Sequence, residues 1–158
     1  MKTSDVMVGE VTTCKPTMTL ESIALSMWDN NCGCVPVIDE ADRPIGIITD
    51  RDIAISAALR YRPLWEIQAS DVTNNRPLYT CKKSDGLDKA LKLMQKHQVR
   101  RLPVIDKQGK LVGVISIGDI IAMTEEQELL PESFAATMKM LKSVSAHHPT
   151  KEHQVATA

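Results

Sequence analysis

Two segments of this chain follow the same pattern 67 positions apart, and this repeat limits the fold more than any other feature of the sequence. Residues 35–53 contain Val-Pro-Val-Ile-Asp and Gly-Ile-Ile-Thr-Asp-Arg-Asp-Ile, and residues 102–120 contain Leu-Pro-Val-Ile-Asp and Gly-Val-Ile-Ser-Ile-Gly-Asp-Ile. When 11–53 is aligned with 78–120 without a gap, 13 of 43 pairs are identical. A repeat of this length cannot bury its own hydrophobic face, so we predict that two copies pack together about a pseudo-twofold axis.

Each copy predicts the order strand, helix, strand, strand, helix, and therefore an α+β fold. Short polar turns between the last two strands of each copy predict antiparallel hairpins. We expect repeat 1 to span 1–62 and repeat 2 to span 63–124, with the two packed through their small sheets. The predicted elements are 11–14, a helix from Thr19, 34–38, 45–49 and 50–59 in the first copy, and 78–81, 85–97, 101–105, 111–116 and a helix from Ile117 in the second.

Composition limits where the protein acts and what it binds. With 158 residues and 43% hydrophobic content, the chain has room for one compact domain. There is no apolar run near about 18 residues and no charged-then-apolar leader, which predicts a soluble cytoplasmic protein without a membrane span or a signal peptide. A net charge of −1 and an aromatic content of 3% give no basis for binding a nucleic acid polymer.

The four cysteines favour packing over metal binding. Cys14 and Cys81 occupy equivalent places in the two copies, which is typical of small half-buried apolar positions. Cys32 and Cys34 form C-x-C, and no second pair stands at zinc-finger spacing, so we predict no metal site. A metal- or redox-responsive role that combines these two thiols with histidines of the tail remains an alternative; those histidines are His147, His148 and His153.

The pattern changes after Thr124. Residues 125–145 predict an appended amphipathic helix, from Pro131 to about Ser143, because Phe134, Met138 and Leu141 recur at helical spacing. Residues 146–158 are polar and patternless, and we expect them to form a loose tail.

Thr49-x-x-Asp52 and Ser116-x-x-Asp119 stand where a strand passes into a helix. One interpretation is a capping box, in which the hydroxyl accepts an N–H of the first turn and the acid reaches back to the start of the helix. The other is a ligand site, because a helix N-terminus attracts a phosphate and an Asp can accept two hydrogen bonds from a ribose diol. The small apolar side chains that would then flank a base are Ile47, Ile48, Val114 and Ile115.

These motifs resemble those of the CBS (cystathionine-beta-synthase-type) domains, arranged as a tandem pair known as a Bateman module. The signature is h-P-V-h-D followed by G-h-h-[ST]-x-x-D, where h is a hydrophobic residue, and it occurs twice in the right order between about Thr3 and Thr124. The resemblance implies two clefts that bind adenosine compounds such as AMP, ADP, ATP or S-adenosylmethionine. It also implies that the Asp holds the ribose and that the Ser or Thr lies near the phosphate.

The resemblance further implies that each cleft is completed by the other repeat. Thr49 and Asp52 would face Arg100 and Arg101, whereas Ser116 and Asp119 would face Gly33 and Cys34. Since only the first of these sets contains cations, the two clefts are expected to differ, with phosphorylated ligands favoured on the Asp52 side.

No catalytic triad and no P-loop accompanies the motifs, so we predict a regulatory sensor that is not an enzyme and requires no cofactor. An alternative is a structural interaction module in which the Thr and Asp residues only cap helices. We also expect a homodimer formed through apolar helix faces. The residues proposed for that contact are Ile23, Met27, Leu91 and Met94.

Overall fold

The computed structural model describes residues 1–126 and 139–141, and it contains two copies of one small α+β unit. The α-helices are α1 (Leu20–Asp29), α2 (Asp50–Arg60), α3 (Ala69–Thr73), α4 (Leu87–His97) and α5 (Ile117–Glu126). The strands are β1 (Cys34–Ile38), β2 (Pro44–Thr49), β3 (Cys81–Lys82), β4 (Arg101–Ile105) and β5 (Leu111–Ser116). The predicted fold class and repeat order are therefore confirmed.

Both predicted hairpins are present and antiparallel. β1 pairs with β2 so that Cys34 lies opposite Thr49, and β4 pairs with β5 so that Arg101 lies opposite Ser116. An aspartate closes each turn: Asp39 Oδ1 accepts two backbone N–H groups, and Asp106 Oδ1 does the same at the equivalent turn. The register brings the first residue of each hairpin beside the helix N-terminus that follows it.

The predicted strands over 11–14 and 78–81 are wrong in extent. The first reduces to a single parallel bridge between Cys14 and Val37, and the second is β3, which begins only at Cys81. The cause is the proline of each hairpin. A longer parallel ladder would need a backbone N–H from Pro36, or from Pro103 in the second copy, and proline has none.

The helix predicted over 85–97 begins two residues later, at Leu87. Asp85 precedes it and closes the incoming turn, because its carboxylate accepts the Lys82 N–H at 2.9 Å and pairs with Lys89 Nζ at 2.9 Å. Asp85, which was expected to begin the helix, therefore links the preceding turn to the first turns of α4.

Each repeat has its own hydrophobic core. The residues proposed for a dimer contact, Ile23, Met27, Leu91 and Met94, are between 0 and 6% exposed and belong to these cores, so that assignment is wrong. Helices α1 and α4 turn their apolar stripes toward their own hairpins. The first core contains Cys14, Leu20, Ile23, Met27, Val35, Val37, Ile48, Ile53, Ile67, Ala69 and Val72, and the second contains Val6, Cys81, Ala90, Leu91, Met94, Leu102, Val104, Ile115, Ile120 and Met140.

The predicted C-terminal helix falls largely outside the described residues. Residues 139–141 are helical, Met140 is fully buried in the second core, and Leu141 packs against that core. Phe134 and Met138 lie outside the described residues. Among the residues that the structure describes, no helix has both the length and the apolar composition required to cross a bilayer.

Each repeat packs against the leading segment of the other repeat, that is, the residues that come before that other repeat in the chain. Val6 lies in the core of the second repeat, and the Val8 N–H and C=O both pair with Val114 at 2.9 Å. Ile67 and Val72, which precede the second repeat in the chain, lie in the core of the first. Each hairpin is thus covered by the segment that leads into the other repeat, and the division at residues 62 and 63 stays a prediction about chain order.

Candidate functional site

The N-terminus of α2 carries a complete capping box. Thr49 Oγ1 accepts the Asp52 N–H at 3.2 Å, and Asp52 Oδ2 accepts both the Thr49 N–H at 2.9 Å and the Thr49 hydroxyl at 2.7 Å. Two of these three hydrogen bonds hold the Asp52 carboxylate at the point where β2 ends and α2 begins.

The N-terminus of α5 repeats this arrangement. Asp119 Oδ2 accepts the Ser116 N–H at 2.7 Å and the Ser116 hydroxyl at 2.6 Å, while Ser116 Oγ accepts the Asp119 N–H at 3.3 Å. The capping interpretation of both motifs is confirmed. Capping uses only one carboxylate oxygen of each Asp, so the other oxygen decides what else each aspartate can do.

In the first repeat, the second oxygen of Asp52 binds Arg76. Asp52 Oδ1 and Arg76 Nη1 are 2.6 Å apart, and the side chains are 20% and 55% exposed. Burial raises the pKa of Asp52, but the hydrogen bonds from Thr49 and Arg76 outweigh it, and the pKa lies below its ordinary value. The carboxylate is therefore held ionised.

The sequence analysis did not identify Arg76, although another repeated motif points to the segment that contains it. Ser-Asp-Val occurs at residues 4–6 and again at 70–72, ahead of each copy. This duplication marks the leading segments, and therefore Arg76, as parts of the repeat.

In the second repeat, the other oxygen of Asp119 has no hydrogen-bond or ion-pair partner among the described residues. In the sequence of the other leading segment, Gly9 and Glu10 occupy the positions that correspond to Arg76. Glu10 is exposed and has a left-handed backbone (φ 47°). The two aspartates are thus alike in their capping and different in their electrostatic surroundings.

Arg101 lies at the boundary between the repeats. Its Nη2 is 3.2 Å from the place that a Cβ on Gly33 would occupy, and Asp50 Oδ2 is 3.6 Å from the same place. Arg101 therefore lies near the first residue of α2, and it also lies opposite Ser116, the residue before α5. Arg100 is exposed, and within the described residues neither arginine forms an ion pair.

Cys34 lies close enough to charged side chains of both repeats for them to influence its pKa. Burial raises the pKa of its thiol, Arg101 opposes this, and Asp119 and Asp50 add to it. Burial likewise raises the pKa values of Cys14 and Cys81 to about 11. Cys32 is half-buried, and among the described residues no group of three or more His, Cys, Asp or Glu side chains could hold a metal ion.

The four apolar residues proposed to flank a base fall on two faces. Ile48 and Ile115 are fully buried in the two cores, so their side chains do not line a cleft and we omit them from the proposed wall. Alternation along a strand turns the neighbouring side chains to the other face. Ile47 is half-buried there, and Val114 is 6% exposed.

Two cavities lie near these elements. One of about 340 Å³ lies between the repeats and is lined by Glu10, Val11, Thr13, Ile38, Asp42, Asp106, Lys110, Leu111, Val112 and Gly113. The other, of about 530 Å³, is a groove between α1 and α2 that reaches Trp28, Cys32 and Asp50. The first cavity lies along β5, the strand that ends at Ser116.

Two copies of one α+β unit, each with a capped helix N-terminus that carries a hydroxyl and an aspartate, define a tandem-repeat module. The CBS domain family model matches residues 4–57 and 69–125, and the chain belongs to this family. The resemblance identified from the sequence is therefore confirmed.

Relatives of this chain include proteins of similar size and segments of larger ones. MK0525 of Methanopyrus kandleri is 37% identical over 121 residues, which are 73% of this chain and 61% of that protein. The CBS domain-containing protein YhcV of Bacillus subtilis is 33% identical over 120 residues, covering 73% of this chain and 80% of YhcV.

Solved structures share the fold. Hypoxic Response Protein I, with two coordinated zinc ions, has a TM-score of 0.70 and 30% identity over 77% of this chain and 98% of its own. CBSX2 in complex with AMP has a TM-score of 0.67 and 23% identity over 79% of this chain and 96% of its own. The CBS pair of MJ0100, in complex with 5′-methylthioadenosine and S-adenosyl-L-methionine, has a TM-score of 0.70 and 22% identity over 78% of this chain and 98% of its own.

Proposed function

We propose that this protein is a non-enzymatic sensor that binds adenosine compounds in two clefts between its repeats. The observation that carries the proposal is the duplicated capping box. Each box presents an aspartate with one oxygen turned away from the cap, beside a hydroxyl at a helix N-terminus. This set of groups suits a ribose diol and a neighbouring phosphate.

One face of each hairpin's second strand offers an apolar surface for the adenine base. Val114 and Ser116 lie on the face of β5 that is turned away from the buried Ile115, whereas a bulge at Val112 interrupts the alternation and Val112 packs against the second core. The cavity that includes Thr13 and Val112 lies farther along the same strand. In the first repeat, Ile47 and Thr49 form the equivalent face of β2, and Ile45 lies at the equivalent bulge.

Arg100 and Arg101 remain proposed ligands for phosphate in the first cleft. Arg101 supports the proposal more strongly, because its guanidinium lies beside Asp50 at the start of α2. A phosphate at this helix end would meet both the guanidinium and the helix dipole. Gly33 and Cys34 would offer no charge to a ligand on the Asp119 side.

We also propose a homodimer, now through the exposed helix face of the first repeat. Residues 53–59 of α2 contain no charged side chain, yet only Ile53 and Ser56 are buried within this element. A helix that is apolar on all sides is normally covered. The large exposed apolar side chains of α1, α2 and the segment that follows α2 are Leu25, Trp28, Ile55, Leu59, Tyr61 and Trp65.

The cytoplasm is the compartment we propose. Cys14, Cys32, Cys34 and Cys81 are all free thiols, the state that a reducing compartment maintains.

Thermal melting with AMP, ATP, adenosine and S-adenosylmethionine tests the proposed function. The CBS pairs of the same fold that were solved with AMP or with adenosyl compounds suggest this panel. A sensor gains melting temperature with at least one compound by mass action, and the gain is smaller in Asp52→Ala and Asp119→Ala variants. If none of the four compounds shifts the melting temperature at millimolar concentration, the structural-module alternative is favoured.

A further inference from the structure

We propose that Arg76 makes the first cleft selective for phosphorylated adenosine ligands, whereas the second cleft, in which no described arginine forms an ion pair with the aspartate, accepts uncharged ones. This inference rests on the proposed function and specifies the ligand class of each cleft. It concerns a residue outside the repeated signature, in the segment that leads into the second repeat.

The backbone around Arg76 is built to hold its side chain at Asp52. The Arg76 N–H donates to the Thr73 carbonyl at 3.1 Å, Asn75 adopts a left-handed conformation (φ 66°), and Pro77 restricts the residue before it. Thr73 is itself fixed against the first hairpin, because a Cβ on Gly46 would lie 2.6 Å from Thr73 Cγ2. The turn is therefore attached to the repeat that contains Asp52.

The ion pair occupies the carboxylate oxygen that a ribose would use. Asp52 Oδ2 is taken by Thr49, and Asp52 Oδ1 lies 2.6 Å from Arg76. An uncharged nucleoside must displace Arg76 and leave it without a partner in the cleft. A phosphorylated nucleoside offers the displaced guanidinium a phosphate, with which it can form charge-assisted hydrogen bonds.

The second cleft lacks this requirement. Asp119 meets Ser116 through one oxygen, and within the described part of the chain its other oxygen is open. At the sequence positions that correspond to Arg76, this repeat has Gly9 and Glu10 and no arginine. A ribose can therefore bind Asp119 without breaking an ion pair.

The test measures the affinities of AMP and adenosine by calorimetry in an Asp119→Ala background, where only the first cleft keeps its aspartate. Adding Arg76→Ala is expected to weaken AMP by about tenfold or more and to leave adenosine unchanged or tighter. Arg76→Lys is expected to recover part of the AMP affinity, since it restores the charge. Arg62→Ala is the matched control, because it removes one arginine that pairs with Glu66 instead.

Each outcome is decisive. Equal losses for AMP and adenosine, or no loss for either, would overturn the role of Arg76 while the proposed function stands. The inference also fails if Asp119→Ala alone abolishes all binding, because the first cleft then holds neither ligand. If the unmutated protein binds neither AMP nor adenosine, the proposed function fails first and this inference fails with it.

Discussion

Asp52 and Asp119 hold equivalent places in the two repeats, and each uses one oxygen to cap a helix. Their second oxygens differ: that of Asp52 pairs with Arg76, and that of Asp119 has no hydrogen-bond or ion-pair partner among the described residues. Under the proposed function, ligand preference therefore depends on residues outside the shared motif.

A double-mutant cycle measures the coupling free energy between Asp52 and Arg76. With Arg76 more than half exposed, we expect a coupling free energy of about 0.5–1 kcal/mol between Asp52→Asn and Arg76→Gln in urea unfolding. The exposed pair of Lys92 and Asp88, at 3.6 Å, is the control and is expected to give less. A coupling no larger than that of the control would show that the pair is not held together in solution.

Lowering the pH should reveal how much the ionised Asp52 carboxylate contributes to stability. The pKa of Asp52 is lower in the folded protein than its ordinary value, so its contribution to stability is present near neutral pH and is lost as the pH falls through the folded pKa. We expect Asp52→Asn to lose less stability than the unmutated protein between about pH 5 and pH 2. Asp39 and Asp85 also have lowered pKa values, so the variant flattens the pH profile only in part. Identical pH profiles would contradict the assignment.

At the scale of elements, the leading segments join the repeats. Val8 pairs with Val114 on the second hairpin, and Thr73 packs on Gly46 of the first. The glycine in each hairpin permits this close approach. The glycine at the equivalent position of each repeat, Gly46 or Gly113, therefore has a packing cause.

Gly113→Ala tests that contact. Its Cβ would lie 2.5 Å from the Val8 carbonyl oxygen, so the backbone must shift, and we expect a loss of about 1–3 kcal/mol in the free energy of unfolding. Gly118→Ala is the control, because its Cβ would lie 3.5 Å from Ser116 Oγ and alanine favours a helix. Chemical denaturation of both variants gives the comparison. Equal stabilities would show that the leading segment yields without cost.

The repeat and the hydrophobic periodicity predicted both hairpins, the main helices and the two capping boxes, because these depend on local sequence. The short strands before each helix were overestimated, because their length depends on a missing N–H in the partner strand, at Pro36 and Pro103. Arg76 was missed for a different reason. Its partner Asp52 lies 24 positions earlier, and only the exchange of leading segments brings the two together.

At the scale of the molecule, the two repeats differ in their outer surfaces. In the described part of the chain, Trp28 and Leu59 of the first repeat are 84% and 72% exposed, and Trp65 in the segment after α2 is 61% exposed. The exposed side of α4 in the second repeat carries Lys92 and Lys96 instead. This asymmetry supports self-association through the first repeat.

Leu59→Glu should shift a dimer to a monomer at micromolar concentration, because it introduces a charge into the apolar helix face. Light scattering coupled to size-exclusion chromatography measures the change. Lys92→Glu, on the charged face of α4, is the control and is expected to leave the mass unchanged. A monomeric unmutated protein would contradict the proposed dimer.

Calorimetric titration of AMP into the Asp52→Ala variant shows whether a capping aspartate also binds an adenosine ligand. Loss of a charged hydrogen-bond acceptor costs about 1.5–3 kcal/mol, so we predict that AMP affinity at the first cleft falls by about tenfold or more. The loss of the cap alone lowers stability by about 1 kcal/mol. If the melting temperature falls while AMP binds the variant and the unmutated protein equally well, Asp52 is a cap only and the account is contradicted.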